Sequence, residues 1–232
     1  MLTVRKSSER GHAHHGWLDT YHSFSFADYY DPAHMGFRSL RVINEDRIAG
    51  GQGFGTHPHK NMEILTYVMS GELAHKDSMG NGSSIKPFEV QGMSAGKGIT
   101  HSEFNALRDK ETHLLQIWIM PHTQNVTPSY GEWKPESANY KNTWATAASE
   151  NGKDGGIAIH QDAKLFISHA DKGTKLPVSI APNRFGWLQI AQGEASVGLI
   201  KLQAGDGIAF SGDAVEAITL HSPSQLLLFD LA

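Results

Sequence analysis

Residues 51–59, GQGFGTHPH, and residues 100–103, THSE, are the two stretches that decide the fold and the site of this chain. In each stretch, two residues of metal-ligating types stand two positions apart. These candidate ligands are His57, His59, His101 and Glu103. Because alternate side chains of a strand point to one face, two such strands lying side by side would bring three imidazoles and one carboxylate together. That donor set suits Fe, Mn, Ni, Cu or Zn.

The composition excludes several other classes of protein. The chain has 232 residues, 39% of them hydrophobic, which allows one large or two small domains. No apolar run approaches the roughly 20 residues of a membrane span, and residues 1–10 lack the apolar core of a signal peptide. The absence of cysteine excludes disulfides, thiolate metal sites and a cysteine nucleophile. With a net charge of −4 and no long basic run, the chain is not expected to bind nucleic acid directly. We predict a cytoplasmic monomer without membrane contact.

Short apolar stretches between Gly, Asn and Pro recur along the chain and favour an all-β fold. Two of them, residues 64–69 and 114–119, are almost wholly apolar, which is typical of strands with both faces buried. The predicted strands are residues 40–43, 64–69, 114–119, 186–190, 195–197, 207–210 and 225–229.

A faint internal repeat indicates two related β-barrels in tandem, because YVMSGE at residues 67–72 resembles QIAQGE at residues 189–194. We predict an N-terminal metal-binding barrel over residues 1–136 and a polar connection or lid over residues 137–156. A second barrel is expected over residues 157–232. This last part has no His-x-His pattern, so we expect metal in the first barrel only.

Several motifs resemble those of the cupins and, more closely, of the pirin family. Gly51, His57-x-His59, Glu63 and Gly71 are similar to the first cupin motif. The second motif is matched by Gly96, His101 and Asn105, although Ala95 stands where proline is usual. The segments similar to pirins, in particular bacterial pirin-like proteins with quercetin 2,3-dioxygenase activity, are residues 16–18, 24–32, 57–59, 77–81 and 93–103.

The resemblance implies a bicupin, two tandem cupin β-barrels of the double-stranded β-helix type. It implies one divalent transition metal held by His57, His59, His101 and Glu103. Fe2+ is favoured, with Mn2+, Ni2+, Co2+, Cu2+ or Zn2+ as alternatives. Many cupins use the first-motif Glu as a ligand, but in pirin-like proteins that role belongs to the position of Glu103. We therefore expect Glu63 to orient a ligand histidine instead.

The resemblance also implies a reaction, the cleavage of the heterocycle of quercetin or a related flavonol by O2 with release of CO. Glu103 would act as the catalytic base that accepts the proton of the ring hydroxyl next to the ketone. Two alternatives stay open. One is a regulatory metal-binding protein that acts through a protein partner, and the other is a cupin with an unrelated small substrate.

Other histidines and aromatic residues are given lesser roles. The cluster GHAHH at residues 11–15 is not expected to bind the functional metal. His75 is expected no closer than the rim of a pocket. Four aromatic residues could line that pocket, although packing in the core is their more frequent use. They are Phe24, Phe26, Tyr29 and Tyr30.

Overall fold

The computed structural model describes residues 2–232, which form 22 β-strands, three short 3-10 segments and no α-helix. In this part of the chain no helix is long and apolar enough to cross a membrane. The all-β prediction is therefore confirmed.

The 3-10 segments are Ser7–Glu9, Ser137–Asn139 and Gly212–Ala214. In chain order the strands are β1 Leu2–Arg5, β2 Gly11–His14, β3 Leu18–His22, β4 Leu40–Ile48, β5 Gly53–His59, β6 Glu63–Ser70, β7 Leu73–Asp77, β8 Gly82–Ile85, β9 Val90–Ser94, β10 Ile99–Asn105, β11 Thr112–Ile119, β12 Ser129–Trp133, β13 Ala145–Glu150, β14 Ile157–Ile159, β15 Ala163–Ala170, β16 Lys175–Pro177, β17 Phe185–Gln192, β18 Glu194–Val197, β19 Ile200–Gln203, β20 Gly207–Ser211, β21 Ala217–Leu220 and β22 Ser224–Leu231.

Each half of the chain forms one seven-stranded and one four-stranded sheet. The N-terminal sheets have the strand orders β12-β9-β6-β11-β4-β3-β2 and β5-β10-β7-β8. The C-terminal sheets have the orders β1-β20-β17-β22-β15-β13-β14 and β16-β21-β18-β19. Across residues 2–232 the strand pairing leaves all four sheets open. The two predicted cupin units are therefore each a pair of facing sheets, and these sheets do not close into a barrel.

The two seven-stranded sheets pack against each other and form the central core of the molecule. Side chains on β11 alternate between two buried environments: Leu115 and Ile117 belong to this central core, whereas Leu114 packs with residues of the N-terminal four-stranded sheet. Leu165 and Phe229 reach the same central core from the second half. Burial on both faces explains why the strands in the middle of the sheets are almost wholly apolar.

The segment 137–156 differs from its prediction as a connection, because Ala145–Glu150 is strand β13 and pairs with β15 of the C-terminal sheet. Its buried residues are the small Ala147, Ala148 and Ser149, which give no apolar signal in the sequence. β1 lies in the predicted N-terminal unit by chain position, but it pairs with β20 of the second half. The domain boundaries otherwise stay a prediction.

Truncation of the shared core should destabilise the whole protein. Phe229 is fully buried where the two halves meet, and we expect Phe229→Ala to lower the free energy of unfolding by about 3–5 kcal/mol. Urea denaturation followed by circular dichroism measures this loss. Leu199→Ala is the matched control because Leu199 is fully exposed. Equal stability of the two variants would contradict the expectation.

Candidate metal centre and its cavity

Strands β5 and β10 carry the two i, i+2 pairs and lie side by side in antiparallel register. His101 is opposite His57, and Ile99 is opposite His59. The register shifts between His101 and Glu103, where β5 contains an extra residue. Such a bulge re-aims nearby side chains, and it is common next to functional sites.

The three histidines form a compact triangle. The ring centroids are 4.5 Å apart for His57 and His101, 4.8 Å for His57 and His59, and 4.9 Å for His59 and His101. One potential ligand nitrogen of each lies within 4.8 Å of the others. His101 is buried, while the other two are half-buried. This arrangement can offer three nitrogen donors to one ion from one side.

Hydrogen bonds indicate which nitrogens are free to bind. Nδ1 of His57 lies 2.8 Å from the carbonyl oxygen of Gly55. Since a carbonyl only accepts, Nδ1 carries the proton and Nε2 keeps its lone pair. Nε2 of His101 is buried without a hydrogen-bond partner in the part of the chain that the structure describes. An unpartnered buried nitrogen beside two other imidazoles fits a metal ligand.

The surroundings keep the imidazoles of His59 and His101 neutral, as metal binding requires. Burial is the largest cause that lowers the pKa of His59 to about 4, and proximity to His57 lowers it further. Burial also lowers the pKa of His101 to about 3, again with help from the neighbouring histidines. Because neutral imidazole is the metal-binding form, protons compete weakly for this site at neutral pH.

Glu103 lies beside the triangle, held by two side chains from the facing sheet. Oγ1 of Thr66 lies 3.2 Å from Oε1 of Glu103, and Nε2 of Gln116 donates to Oε2 of Glu103 at 3.0 Å. A carboxylate oxygen of Glu103 clusters with ring nitrogens of His75 and His101. Among the described residues, the other cluster consists of His57, His59 and His101, and Glu103 is not part of it. The structure thus brings three of the four predicted ligands into one group and places the fourth next to His101.

The donors and acceptors around Glu103 balance when this carboxyl carries a proton. The single hydroxyl proton of Thr66 has two acceptors, Glu103 and Oε1 of Gln116 at 2.9 Å. If Glu103 is protonated, it donates to Thr66, which then donates to Gln116. Burial, aided by the charge of Asp46, raises the pKa of Glu103 to about 7. Glu103 can therefore hold or release a proton near neutral pH.

His75 lies behind the triangle and is buried, which differs from its expected place at a pocket rim. Its Nδ1 is 3.5 Å from Nδ1 of His101, and its Nε2 is 3.4 Å from Oδ2 of Asp77. The Tyr130 ring stacks on the His75 ring at a centroid distance of 5.0 Å. This chain runs from a carboxylate through one imidazole to a second, and it orients His101.

A cavity of about 720 Å³ opens in front of the site between the facing sheets of the first half. Its volume falls in the range of small-molecule sites. Two of the four aromatic residues considered above, Phe26 and Tyr29, line it, whereas Phe24 is in the core and Tyr30 is exposed. Further walls come from Trp17, Phe54, Trp118, His12 and His15.

His12, in the histidine-rich segment 11–15, belongs to no metal-binding cluster within residues 2–232. Its Nε2 lies 2.6 Å from Oδ1 of Asp19 instead.

Glu63 lies away from the site, and the expectation that it orients a ligand histidine is wrong. Its Oε1 accepts a hydrogen bond from Ser94 at 2.9 Å and lies 3.5 Å from Nδ1 of His160 in the second half. Side chains alternate along β6, and Glu63 shares its face with Leu65 in the central core. Thr66, on the other face, is the β6 residue that reaches the site.

The sequence reasoning missed Thr66 and Gln116, both of which hold Glu103. Each interrupts a strand that is otherwise almost wholly apolar. A polar residue buried inside such a strand needs a partner, and this signal would have marked both positions. Asp46 on β4 was missed as well; it lines the cavity and is 3% exposed.

Removal of the Asp46 charge should stabilise the metal-free protein at neutral pH. Burial, with the nearby Glu45 charge, raises the pKa of Asp46 from 3.8 to about 7. Between pH 3.8 and about pH 7, the Asp46 carboxyl is ionised in the unfolded chain but protonated in the folded protein. The free energy of unfolding of the wild type therefore falls as pH rises through this range. We expect Asp46→Asn to be more stable than wild type above about pH 7, with the difference disappearing near pH 4. Denaturation at several pH values tests this, and a pH-independent difference would contradict it.

Comparison with known proteins places the chain in a family. The family model described as Pirin matches residues 3–119, and the one described as the quercetinase C-terminal cupin domain matches residues 146–231. A quercetin 2,3-dioxygenase of Escherichia coli (strain K12) is 46% identical over 231 residues, with 100% of this chain and 99% of that protein covered.

Solved structures agree with this placement. The crystal structure of YhhW from Escherichia coli has a TM-score of 0.95 at 45% identity and covers 100% of this chain and 98% of that one. The same bacterial pirin in complex with nickel(II) has a TM-score of 0.93 at 45% identity, with 100% and 99% covered. A fold of two cupin domains is thus shared with the pirins. The chain belongs to the pirin family.

Proposed function

We propose that this protein is a metal-dependent dioxygenase that cleaves the heterocycle of quercetin or a related flavonol with O2 and releases CO. The observation that carries the proposal is the cluster of His57, His59 and His101 at an aromatic-walled cavity large enough for such a ligand. The 46% identity to a quercetin 2,3-dioxygenase supports the choice of substrate.

The metal ligands we propose are His57, His59, His101 and Glu103. A divalent metal held there would supply Lewis acidity that lowers the pKa of the flavonol hydroxyl next to the ketone. Glu103 accepts that proton as general base, and its link to Thr66 and Gln116 holds the carboxyl in place. The aromatic walls bind the substrate rings and limit the access of water to the reacting hydroxyl.

The test of this function is aerobic turnover of quercetin. The purified protein is stripped of metal, reloaded separately with Fe(II), Mn(II), Ni(II), Co(II), Cu(II) or Zn(II), and followed by the visible absorbance of quercetin and by CO release. Metal-dependent loss of the band with CO is expected. If every reloaded form binds its metal and leaves quercetin intact, the proposed reaction is wrong.

Loss of the His75 imidazole should weaken metal binding without removing a ligand. We expect His75→Phe to lower metal affinity about 10- to 100-fold, the usual cost of removing a group that orients a ligand. Competition with a chromogenic chelator measures the affinity, and metal analysis at saturation should still give one ion per chain. Unchanged affinity would show that His101 is oriented without His75.

Several finer properties stay predictions. They are iron as the native metal, the monomeric state, the cytoplasmic location and the lack of direct nucleic-acid binding. Metal analysis of protein purified without added metal and light scattering test the first two directly.

A further inference from the structure

Asp46 is a buried carboxyl in the cavity with an oxygen that no protein group satisfies. It lines the cavity and is 3% exposed, and its Oδ1 has no hydrogen-bond partner among the described residues. Other buried side chains in residues 2–232 also have unpartnered polar atoms. Glu63 and Gln91 do not line this cavity, whereas Trp118 lines it, but its unpartnered Nε1 is a donor and not an acceptor. A buried acceptor without a partner is costly, so an unpartnered one in a ligand cavity points to a donor on the ligand.

Asp46 belongs to a polar wall in an otherwise largely aromatic cavity. The polar wall comprises Thr20, His22, Asn44 and Asp46. All four are buried, and neighbouring strands place Thr20 opposite Asp46 and His22 opposite Asn44. Nδ1 of His22 is already paired with Oδ1 of Asn44 at 2.8 Å.

The charges around the cavity indicate the chemistry of the group that Asp46 takes. No lysine or arginine lines the cavity within residues 2–232, and Asp46 forms no ion pair in that part of the chain. The nearby carboxyls, Glu45 and Glu103, disfavour an anion. A neutral hydroxyl on an aromatic ring matches both the acceptor and the aromatic walls.

We propose that Asp46 is a specificity residue, whose Oδ1 accepts a hydrogen bond from a phenolic hydroxyl of the substrate other than the hydroxyl that reacts. The inference rests on the proposed function and deepens it, because it assigns the site a preference for polyhydroxylated flavonols. A site built to hydrogen-bond a hydroxyl discriminates strongly against an analogue that lacks it.

Anaerobic binding of two flavonols to the nickel-loaded protein tests the inference. Quercetin has hydroxyls on its other rings, whereas 3-hydroxyflavone has only the reacting one. We expect Asp46→Leu to weaken quercetin binding about 10- to 100-fold and to leave 3-hydroxyflavone binding within about threefold. Asp46→Asn keeps the shape of the side chain and an acceptor oxygen, so it should lose less affinity for quercetin than Asp46→Leu. Asp171→Asn controls for the loss of one negative charge, since Asp171 is exposed in the second half.

The comparison of the two ligands separates recognition from damage to the fold. If Asp46→Leu weakens both flavonols alike, or neither, the inference is wrong. If it selectively weakens quercetin while the wild type fails to consume quercetin in air, the specificity role stands and the proposed reaction falls. Thermal unfolding shows whether each measured variant is folded. If Asp46→Leu is not folded, Asp46→Ala, which also removes the acceptor oxygen, carries the same test with the same expected loss of quercetin binding.

Discussion

His101→Ala should abolish tight metal binding and reduce quercetin turnover to background. His101 is the buried member of the triangle, and it is the residue shared by both candidate ligand clusters. We expect an affinity loss greater than the roughly 10- to 100-fold typical of an orienting group, because a ligand itself is removed. Metal analysis after dialysis and the quercetin assay measure the two effects.

The control for this variant is a histidine outside the site. His221 lies exposed in the second half and contacts Ser196, so His221→Ala should keep one metal per chain and full turnover. Circular dichroism confirms that each variant is folded. Retention of stoichiometric tight metal by His101→Ala would refute the proposed ligand set.

Glu103→Gln should reduce kcat about 100- to 10,000-fold, the range that a positioned general base contributes. The amide keeps the size of the side chain but cannot accept the substrate proton, and it weakens one proposed metal contact. Turnover is therefore measured at metal saturation, which separates the loss of the base from the loss of the ion. Substrate affinity under anaerobic conditions should change much less than kcat.

Glu63→Gln is the matched control, because Glu63 is also a buried glutamate but contacts Ser94 and His160. It should keep both metal content and turnover. If Glu63→Gln loses activity and Glu103→Gln keeps it, the assignment of the catalytic carboxyl is wrong.

Strand periodicity let the sequence predict much of the site. Two ligand types two residues apart lie on one face of any strand, so His57 and His59 had to point together, as did His101 and Glu103. The motifs similar to pirins added the expectation that all four residues hold one metal, which local spacing alone does not fix. The same periodicity, carried along β6, puts Glu63 and Thr66 on opposite faces, but only the assembled sheets reveal which face is turned to the metal site.

The sequence by itself determined the all-β class, the two related halves and the candidate ligands, because short apolar strands and i, i+2 spacing are local properties. Tertiary structure decided the open sheets, the place of β13 and the partners of Glu103. It also decided that Asp46 lines the cavity and that Glu63 turns toward the second half. These features depend on which distant strands lie side by side and which faces they bury, and no local pattern contains that information.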